Sequence, residues 1–242
     1  MNSVDVIAEV RRLIERAARV VTFTGAGISV ESGIPTFRGP DGLWRKFRAE
    51  DLATPDAFAR DPKLVWEWYD WRRQTIARAQ PNAGHKALAR LEARKASFDL
   101  ITQNVDNLHD RAGSRRIRKL HGDIWMVRCL NCGIQRQDLR TPLPEIPARC
   151  ECGGLLRPGV VWFGERLDAS VWSEAELAAA AAEAFIVIGT SAVVHPAAGL
   201  IDVAKRAGAK LVEINPDETP YSAIIDYALR GPAAQILPLL ID

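Results

Sequence analysis

Short apolar runs alternate with longer stretches of helical periodicity along this chain. The N-terminal segment MNSVDVIAEVRRLIERAA carries apolar side chains at helical spacing, which predicts an amphipathic helix with one apolar stripe: Val6, Val10, Leu13, Ile14 and Ala17. Strand-like runs that end in small or polar residues follow at 20–29 (VVTFTGAGIS), 99–106 (DLITQNVD), 185–192 (FIVIGTSA) and 210–217 (KLVEINPD). Helices are predicted between these runs, notably over 174–184 and 197–207.

This alternation predicts an α/β fold with a parallel sheet that is covered by helices on both faces. In such a sheet the carboxyl ends of the strands lie along one edge, and ligands bind in the crevice there. We therefore expect the turns at 25–27, 103–106, 189–191 and 215–217 to converge on one site.

Two segments interrupt the alternation and are predicted to form a second, smaller domain. Residues 40–84 lack a strand pattern and contain most of the tryptophans, whereas residues 122–159 contain every cysteine and few apolar runs. The larger, sheet-forming domain is then assembled from 1–39, 85–121 and 160–242.

Composition and hydropathy argue against a nucleic-acid-binding protein and against a membrane-spanning protein. The chain has 242 residues, 48% of them hydrophobic, and a formal net charge of +2, so it lacks the basic character of a dedicated nucleic-acid-binding protein. No apolar run approaches the ~20 residues that a membrane-spanning helix needs, and the N-terminal segment mixes charged and apolar residues, unlike a signal peptide. We therefore expect a cytoplasmic protein without membrane contact, whose cysteines are metal ligands or free thiols rather than disulfides.

The four cysteines have a spacing typical of zinc sites. Cys129 and Cys132 form a C-x-x-C pair, and Cys150 and Cys152 form a C-x-C pair that departs slightly from the usual pattern. Four thiolates complete a tetrahedral Zn²⁺ site without an open position for water, so the predicted ion is structural. The alternative is four thiols without a metal. A zinc ribbon can also bind nucleic acid, although the charges of this segment are mixed.

The turn after the first predicted strand, GAGISVESGIPTFRG (25–39), is rich in glycine. A Gly-x-Gly that follows a strand allows the backbone to approach a phosphate, but the full G-x-G-x-x-G pattern is absent. Gly33 and Pro35 interrupt the segment, so no helix is expected to follow the turn. A tight turn without a ligand explains the glycines equally well.

Polar residues follow the second predicted strand. Gln103, Asn104 and Asp106 suit ribose hydroxyls and a carboxamide, although asparagine and aspartate also cap helices and build turns. His121 lies where the sheet-forming region meets the cysteine segment, so it is either an acid–base residue or a structural histidine.

Taken together, these motifs resemble those of the sirtuins, the NAD-dependent protein lysine deacylases. The resemblance covers nearly the whole chain, and it implies a Rossmann-like larger domain and a smaller domain made of one helical and one zinc-binding insertion. Its elements occur in the order of the family: GAGISVESGIPTFRG, TQNVDNLH, LHG, the two cysteine pairs, VVWFGE (160–165), GTSAVVHPAA (189–198) and EINPDET (213–219).

The resemblance also implies the chemistry. NAD⁺ is consumed as a co-substrate with an acyl-lysine peptide, and the products are free lysine, nicotinamide and 2′-O-acyl-ADP-ribose. His121 is implied as the general base, with Asn104 and Asp106 orienting the nicotinamide ribose and carboxamide. The implied NAD-binding residues are Gly25, Ala26, Gly27, Ser29, Phe37, Arg38, Trp44, Gln103, Asn104, Val105, Asp106, Gly189, Thr190, Ser191, Asn215, Pro216, Asp217 and Ala233. The implied peptide-binding strand edge is Val161, Trp162, Phe163 and Gly164.

The helical insertion contains the stretch WEWYDWRRQ, in which Tyr69, Arg72 and Arg73 project from one side of a predicted helix. The stretch resembles class III bacterial sirtuins, in which a tyrosine and an arginine three residues later bind the carboxylate of an acidic acyl group. This implies a desuccinylase or demalonylase with residual deacetylase activity, in which Tyr69 and Arg72 bind the substrate and Arg73 is a secondary candidate. Helix geometry alone favours a surface arginine paired with Glu67 or Asp70.

Three other functions are alternatives. A conventional NAD dehydrogenase would need an acidic residue ~20 positions after the glycine turn, where this chain has Arg45. A mono-ADP-ribosyltransferase would use the same NAD site but would transfer ADP-ribose to a protein. A zinc-based nucleic-acid-binding module would show salt-sensitive affinity for DNA, and the near-neutral charge argues against it.

Overall fold

The structure is a computed structural model that describes residues 3–37, 42–43 and 48–242. Its helices are α1 (Ser3–Arg16), α2 (Ala49–Leu52), α3 (Pro55–Arg60), α4 (Pro62–Arg78), α5 (Ala83–Arg94), α6 (Leu108–Ala112), α7 (Ala169–Ala181), α8 (Gly199–Arg206) and α9 (Ala233–Ile241). Its strands are β1 (Arg19–Thr24), β2 (Ser97–Thr102), β3 (Ile117–Lys119), β4 (Gly122–Cys129), β5 (Gln135–Gln137), β6 (Leu156–Val160), β7 (Ala184–Ile188), β8 (Lys210–Ile214) and β9 (Tyr227–Leu229). No helix within these described ranges combines the length and apolar character that crossing a bilayer requires.

Six strands form a parallel sheet in the order β3-β2-β1-β7-β8-β9, which confirms the predicted α/β fold. From β1 the chain builds outward through β2 and β3, and it later returns to β7 on the other side of β1. The strand order therefore reverses between β1 and β7. Ligands of open α/β sheets bind at such a reversal, beyond the carboxyl ends of the strands.

Helices cover both faces of the parallel sheet. On β7, Ile186 and Ile188 pack in the core that contains α1, α5 and α9, whereas Phe185 and Val187 pack in the core that contains α7 and α8. Every residue of β7 is buried for this reason, and its sequence is apolar throughout instead of alternating.

Two predictions about local structure need correction. A helix does follow the glycine turn: a 3₁₀ helix spans Ala26–Ser32, and Gly33, with a φ of 84°, ends that helix instead of preventing it. α7 begins before the predicted 174–184, because the Asp168 carboxylate caps it by accepting hydrogen bonds from two backbone N–H groups.

A second, antiparallel sheet has three strands in the order β5-β4-β6, and it shares one hydrophobic core with α2, α3 and α4. The core contains Trp66 of α4, whose indole N–H donates to the Leu156 carbonyl at 2.7 Å. The two segments that interrupt the strand–helix alternation therefore pack together.

Arg73 fastens α4 to this second sheet. Its guanidinium is buried between the rings of Trp66 and Trp125, with Cζ 5.6 Å and 5.4 Å from their centroids. It donates hydrogen bonds to the carbonyls of Ile124 and Asp138, each at 2.9 Å. Arg73 is 0% exposed and therefore acts as a structural residue, which removes it as a candidate for substrate contact.

Candidate functional site

A cavity of about 760 Å³ lies along the carboxyl edge of the parallel sheet, within the ~300–1,000 Å³ range of small-molecule sites. The turns that follow β1, β2, β7 and β8 line it at 25–27, 103–105, 189–191 and 215–217. The cavity continues past His121 to α4 and to the segment after β6. One space therefore joins the edge of the parallel sheet to the helix that carries Tyr69.

The turns after β1 and β7 are in direct backbone contact. Gly27 N–H donates to the Gly189 carbonyl at 2.7 Å, and Gly25 N–H donates to the Ile188 carbonyl at 2.9 Å. A Cβ atom on Gly27 would lie 2.7 Å from Gly189 Cα, closer than side chains approach a backbone in folded proteins. The close packing of the two turns therefore explains these glycines, whether or not a phosphate binds above them.

Asn104 and Asp106 lie at different depths. Asn104 lines the cavity and donates from Nδ2 to the Gly25 carbonyl at 3.0 Å. Asp106 lies behind the cavity wall, where it accepts hydrogen bonds from Ser29 Oγ at 2.7 Å and from Leu108 N–H at 2.9 Å. Burial raises the pKa of Asp106, and these two hydrogen bonds oppose the rise because they favour the carboxylate. Direct ligand contact by Ser29 or Asp106 stays a prediction.

Two buried histidines lie behind Ser29, with ring centroids 4.9 Å apart. His85 Nδ1 accepts the Asn82 N–H at 3.4 Å, so His85 Nε2 carries the proton and donates to Ser29 Oγ at 3.4 Å. Ser29 Oγ in turn donates to Asp106. Burial lowers the pKa of His85 to about 4 and lowers the pKa of His109 well below its ordinary value, so both rings are neutral. Each group in this chain donates to the next, from His85 to Ser29 and from Ser29 to Asp106, and these hydrogen bonds orient the Asp106 carboxylate.

His121 offers one ring nitrogen as a base. Its Nδ1 lies 3.0 Å from the Gln103 carbonyl oxygen, which can only accept, so Nδ1 carries the proton. Nε2 then has a lone pair, and no residue of the described ranges forms a hydrogen bond with it. Burial lowers the pKa of His121, and the hydrogen bond to Gln103 partly opposes this, so the ring is neutral at neutral pH.

α4 presents Tyr69 and Arg72 to the cavity. The Arg72 guanidinium packs against aromatic rings, with Cζ 4.6 Å from the Phe37 centroid and 5.0 Å from the Trp68 centroid. Burial raises the pKa of Tyr69 to about 12, so its phenol stays protonated. Burial also lowers the pKa of Arg72, which marks the guanidinium as poorly solvated.

The acidic neighbours on α4 do not neutralise Arg72. Glu67 pairs with Lys63 at 3.7 Å, and Asp70 accepts hydrogen bonds from Gln74 and from one backbone N–H. Within the described part of the chain, no carboxylate forms an ion pair with Arg72. The alternative of a surface arginine paired with Glu67 or Asp70 is therefore wrong.

The segment 161–164 follows β6 as an extended stretch and a turn, not as a strand. Val161 N–H donates to the His121 carbonyl and Phe163 N–H donates to the Ala53 carbonyl, each at 2.9 Å. These two N–H groups are already satisfied within the protein, so hydrogen bonds to a peptide would use other main-chain groups of the segment, and a peptide-binding edge here stays a prediction. The four predicted peptide-binding residues all line the cavity: Val161, Trp162, Phe163 and Gly164.

Two of the remaining predicted NAD-binding residues, Phe37 and Ala233, lie at opposite ends of the site. Phe37 lines the cavity beside Arg72, and Ala233 lines it at the start of α9. Arg38 and Trp44 lie outside the described residues.

The four cysteine sulfurs lie together in the smaller sheet region, within 4.8 Å of one another. Cys129 Sγ is 3.5 Å from Cys152 Sγ, and Cys132 Sγ is 3.8 Å from Cys150 Sγ. These separations fit a tetrahedral site, in which Zn–S bonds of ~2.3 Å place the sulfurs roughly 3.8 Å apart. The residues that line the cavity include none of these four cysteines.

Comparison with known proteins decides the family. Residues 25–196 match the Sir2 family. The chain belongs to this family. It is 60% identical over 224 residues to an NAD-dependent protein deacylase of Aquifex aeolicus (strain VF5), a match that covers 92% of this chain and 94% of that protein.

Two solved structures of the Sir2 family are similar throughout. One is a Sir2 homologue in complex with NAD, with a TM-score of 0.92, 49% identity and coverage of 97% of this chain and 92% of that chain. The other is a mutant Sir2 homologue in complex with 2′-O-acetyl ADP ribose, with a TM-score of 0.92, 49% identity and coverage of 96% and 94%.

Several residues of this Sir2-family site were missed in the sequence. His85 and His109 stand behind Ser29, and Trp68 stacks on Arg72. His85 and His109 lie on helices whose buried faces also contain apolar residues, so periodicity treats them as ordinary core positions. Only their three-dimensional neighbours show that they support the site.

We predict one Zn²⁺ per chain, held by the four cysteines. Metal analysis by inductively coupled plasma mass spectrometry should give a zinc:protein ratio near one. Cys132→Ser should abolish most of the bound zinc and lower the melting temperature by roughly 5–10 °C, because metal binding stabilises the folded state. A wild-type protein that contains no zinc, yet has the same melting temperature as wild-type protein to which zinc has been added, would contradict the site.

Proposed function

We propose that this protein is an NAD-dependent protein lysine deacylase. The observation that carries the proposal is His121, whose Nε2 lone pair has no hydrogen-bond partner in residues 3–37, 42–43 and 48–242. His121 lines the cavity that joins the sheet-edge turns to Tyr69 and Arg72. The name of the Aquifex aeolicus relative and the NAD complex of the structural neighbour support the same activity.

NAD⁺ is the co-substrate that this cavity fits. The turns at 189–191 and 215–217, with Ala233, would hold the adenosine, and the turn at 25–27 would hold the pyrophosphate. Asn104 would then meet the nicotinamide ribose, close to His121. The acyl-lysine would enter between α4 and the segment after β6, so both substrates would share one continuous space.

The residues of the cavity suit a transfer of the acyl group to a ribose. Bound NAD⁺ supplies an electrophilic ribose carbon and nicotinamide as the leaving group. Asn104, held by its hydrogen bond to the Gly25 carbonyl, orients the ribose hydroxyls. The acyl carbonyl oxygen of the lysine substrate would displace nicotinamide at that ribose carbon. Neutral His121 accepts a proton from a ribose hydroxyl at Nε2, which frees that oxygen to attack the acyl carbon, and the lysine amine leaves as water completes the reaction. Overall, acyl-lysine, NAD⁺ and water give lysine, nicotinamide and 2′-O-acyl-ADP-ribose.

We further propose that the enzyme prefers acidic acyl groups such as succinyl and malonyl. The aromatic rings of Phe37 and Trp68 contact the Arg72 guanidinium, and its N–H groups can grip a carboxylate with two parallel hydrogen bonds. Tyr69 adds a hydroxyl donor. An acetyl group has no carboxylate to pair with the buried Arg72 guanidinium. A succinyl carboxylate accepts hydrogen bonds from the guanidinium and so replaces the water that burial has removed. Acetyl-lysine should still react, because no described residue blocks a smaller group.

His121→Ala should lower kcat for NAD-dependent deacylation by about 10²–10⁴-fold, the usual contribution of a general base. Zinc content and melting temperature should stay at the wild-type values. In the wild type the pKa of His121 lies below its ordinary value of 6.5, so the neutral base persists below that pH and is lost only as pH falls through the lowered pKa. The acid limb of kcat/KM should therefore have its midpoint below 6.5.

Near wild-type turnover by His121→Ala would show that another group acts as the base. An acid limb centred well above 6.5 would likewise contradict a neutral, buried His121.

Arg72→Met should reduce the ratio of kcat/KM for succinyl-lysine to that for acetyl-lysine by roughly 10–100-fold, since a charge-assisted hydrogen bond contributes ~1.5–3 kcal/mol. The measurement uses one peptide sequence that carries either acyl group. Arg73→Met is the matched control, because it removes an adjacent buried arginine that does not line the cavity. The control should lower stability and leave the ratio unchanged. Equal losses for both acyl groups in Arg72→Met would refute the acidic-acyl preference.

A further inference from the structure

The hydroxyl of Tyr69 receives a hydrogen bond from inside the protein. Trp162 Nε1 lies 2.9 Å from Tyr69 Oη, and both side chains are buried. An indole N–H can only donate, so the tyrosine oxygen is the acceptor and its own proton is not used in this contact. That proton is then available to a second partner.

This contact also selects a direction for the phenolic proton. A phenol O–H prefers the plane of its ring and has two orientations there, one on each side of the C–O bond. The indole N–H occupies the lone pair on one side, so the proton points to the other. A hydroxyl that accepts one hydrogen bond is also a better donor in the next, because the bonds polarise each other.

The indole of Trp162 is itself held in place by an ion pair. Arg157 stacks on the ring with Cζ 3.5 Å from its centroid, and its Nη1 and Nη2 lie 2.6 Å and 2.9 Å from the two carboxylate oxygens of Glu165. Glu165 Oε2 also accepts the Trp162 backbone N–H at 2.8 Å. Phe58 contacts the same ring, with centroids 5.3 Å apart. Contacts to the ring and to the backbone N–H of Trp162 therefore fix the position of its indole N–H.

Tyr69 and Arg72 line the same cavity, with Arg72 Cζ 6.0 Å from the Tyr69 ring centroid. Asp106 attracts the Arg72 guanidinium electrostatically, but no carboxylate of the described ranges forms an ion pair with it. The phenolic proton, turned away from Trp162, and this guanidinium can therefore meet on one anionic group. Without the indole, the phenol could turn its proton toward a protein acceptor and offer the ligand a lone pair, which repels a carboxylate.

We propose that Trp162 is a positioning residue for acyl selectivity, in which its indole N–H holds the Tyr69 hydroxyl as a donor to the carboxylate of an acidic acyl group. The inference rests on the proposed preference of the enzyme for acidic acyl-lysine. It assigns to the Trp162 side chain a role that is separate from lining the peptide path.

A double-mutant cycle tests this role. kcat/KM is measured for succinyl- and acetyl-lysine on one peptide with the wild type, Trp162→Phe, Tyr69→Phe and the double variant. Trp162→Phe should lower the succinyl:acetyl ratio about three- to tenfold, the usual effect of one hydrogen bond. In the Tyr69→Phe background the same substitution should leave the ratio unchanged, because the oxygen on which Trp162 acts is gone.

Trp125→Phe is the matched control. It removes another buried indole N–H from the same core, one that has no hydrogen-bond partner among the described residues and does not line the cavity. It should leave the ratio unchanged. If Trp162→Phe folds poorly, replacement of Trp162 by 3-benzothienylalanine retains the shape of the ring and removes only the N–H donor, with the same expected loss of selectivity.

Two outcomes overturn the inference while the proposed function stands: equal losses for both acyl groups in Trp162→Phe, or effects of Trp162→Phe and Tyr69→Phe on the ratio that multiply in the double variant. A wild type that deacetylates but does not desuccinylate overturns the inference together with the acidic-acyl preference. In that case the retained NAD-dependent deacetylation shows that the deacylase function stands and that the acidic-acyl preference is the part that failed.

Discussion

The hydrogen bond from Gly27 N–H to the Gly189 carbonyl, at 2.7 Å, is the contact on which the geometry of the site depends. It joins the turns after β1 and β7, the two neighbouring strands between which the order of the sheet reverses. Any side chain at Gly27 would force these turns apart, because its Cβ would lie 2.7 Å from the facing backbone. With the turns in contact, the loops after β2 and β8 converge on the same cavity.

The wall behind the cavity is held by polar contacts in the same way. Asp106 receives a hydrogen bond from Ser29, Ser29 receives one from His85, and the two neutral histidines fill the space behind them. A buried carboxylate needs such donors, since burial alone raises its pKa and favours the neutral acid. The turn that presents Asn104 is therefore shaped by groups that do not reach the cavity themselves.

Adjacent residues of α4 face different surroundings, one the hydrophobic core and the other the cavity. Arg73 crosses to the second sheet and satisfies two of its carbonyls, whereas Arg72 turns toward the cavity beside Phe37 and Trp68. The two arginines differ by one position, about 100° around a helix, so they point in different directions. The same spacing separates Tyr69, which lines the cavity, from Asp70, which accepts hydrogen bonds from Gln74 and from the Leu143 N–H.

Hydrophobic pattern predicted the parallel sheet and the turns that line the cavity, because a strand buried on both faces leaves an uninterrupted apolar run such as that of β7. Cysteine spacing predicted the four-sulfur cluster. The 3₁₀ helix at Ala26–Ser32 was missed, since it depends on the contact with Gly189, which is distant in sequence. The environment of Arg72 and Arg73 was missed for the same reason: their partners lie on other elements.

Transfer of the acyl group to the ribose is tested by the product balance of a reaction with NAD⁺ and a succinyl-lysine peptide, followed over early time points by liquid chromatography and mass spectrometry. We expect one nicotinamide and one O-succinyl-ADP-ribose for each lysine that is freed. Free succinate without nicotinamide would mean simple hydrolysis, and ADP-ribose attached to protein in place of O-succinyl-ADP-ribose would mean an ADP-ribosyltransferase. Either result would contradict the transfer of the acyl group to the ribose in this cavity.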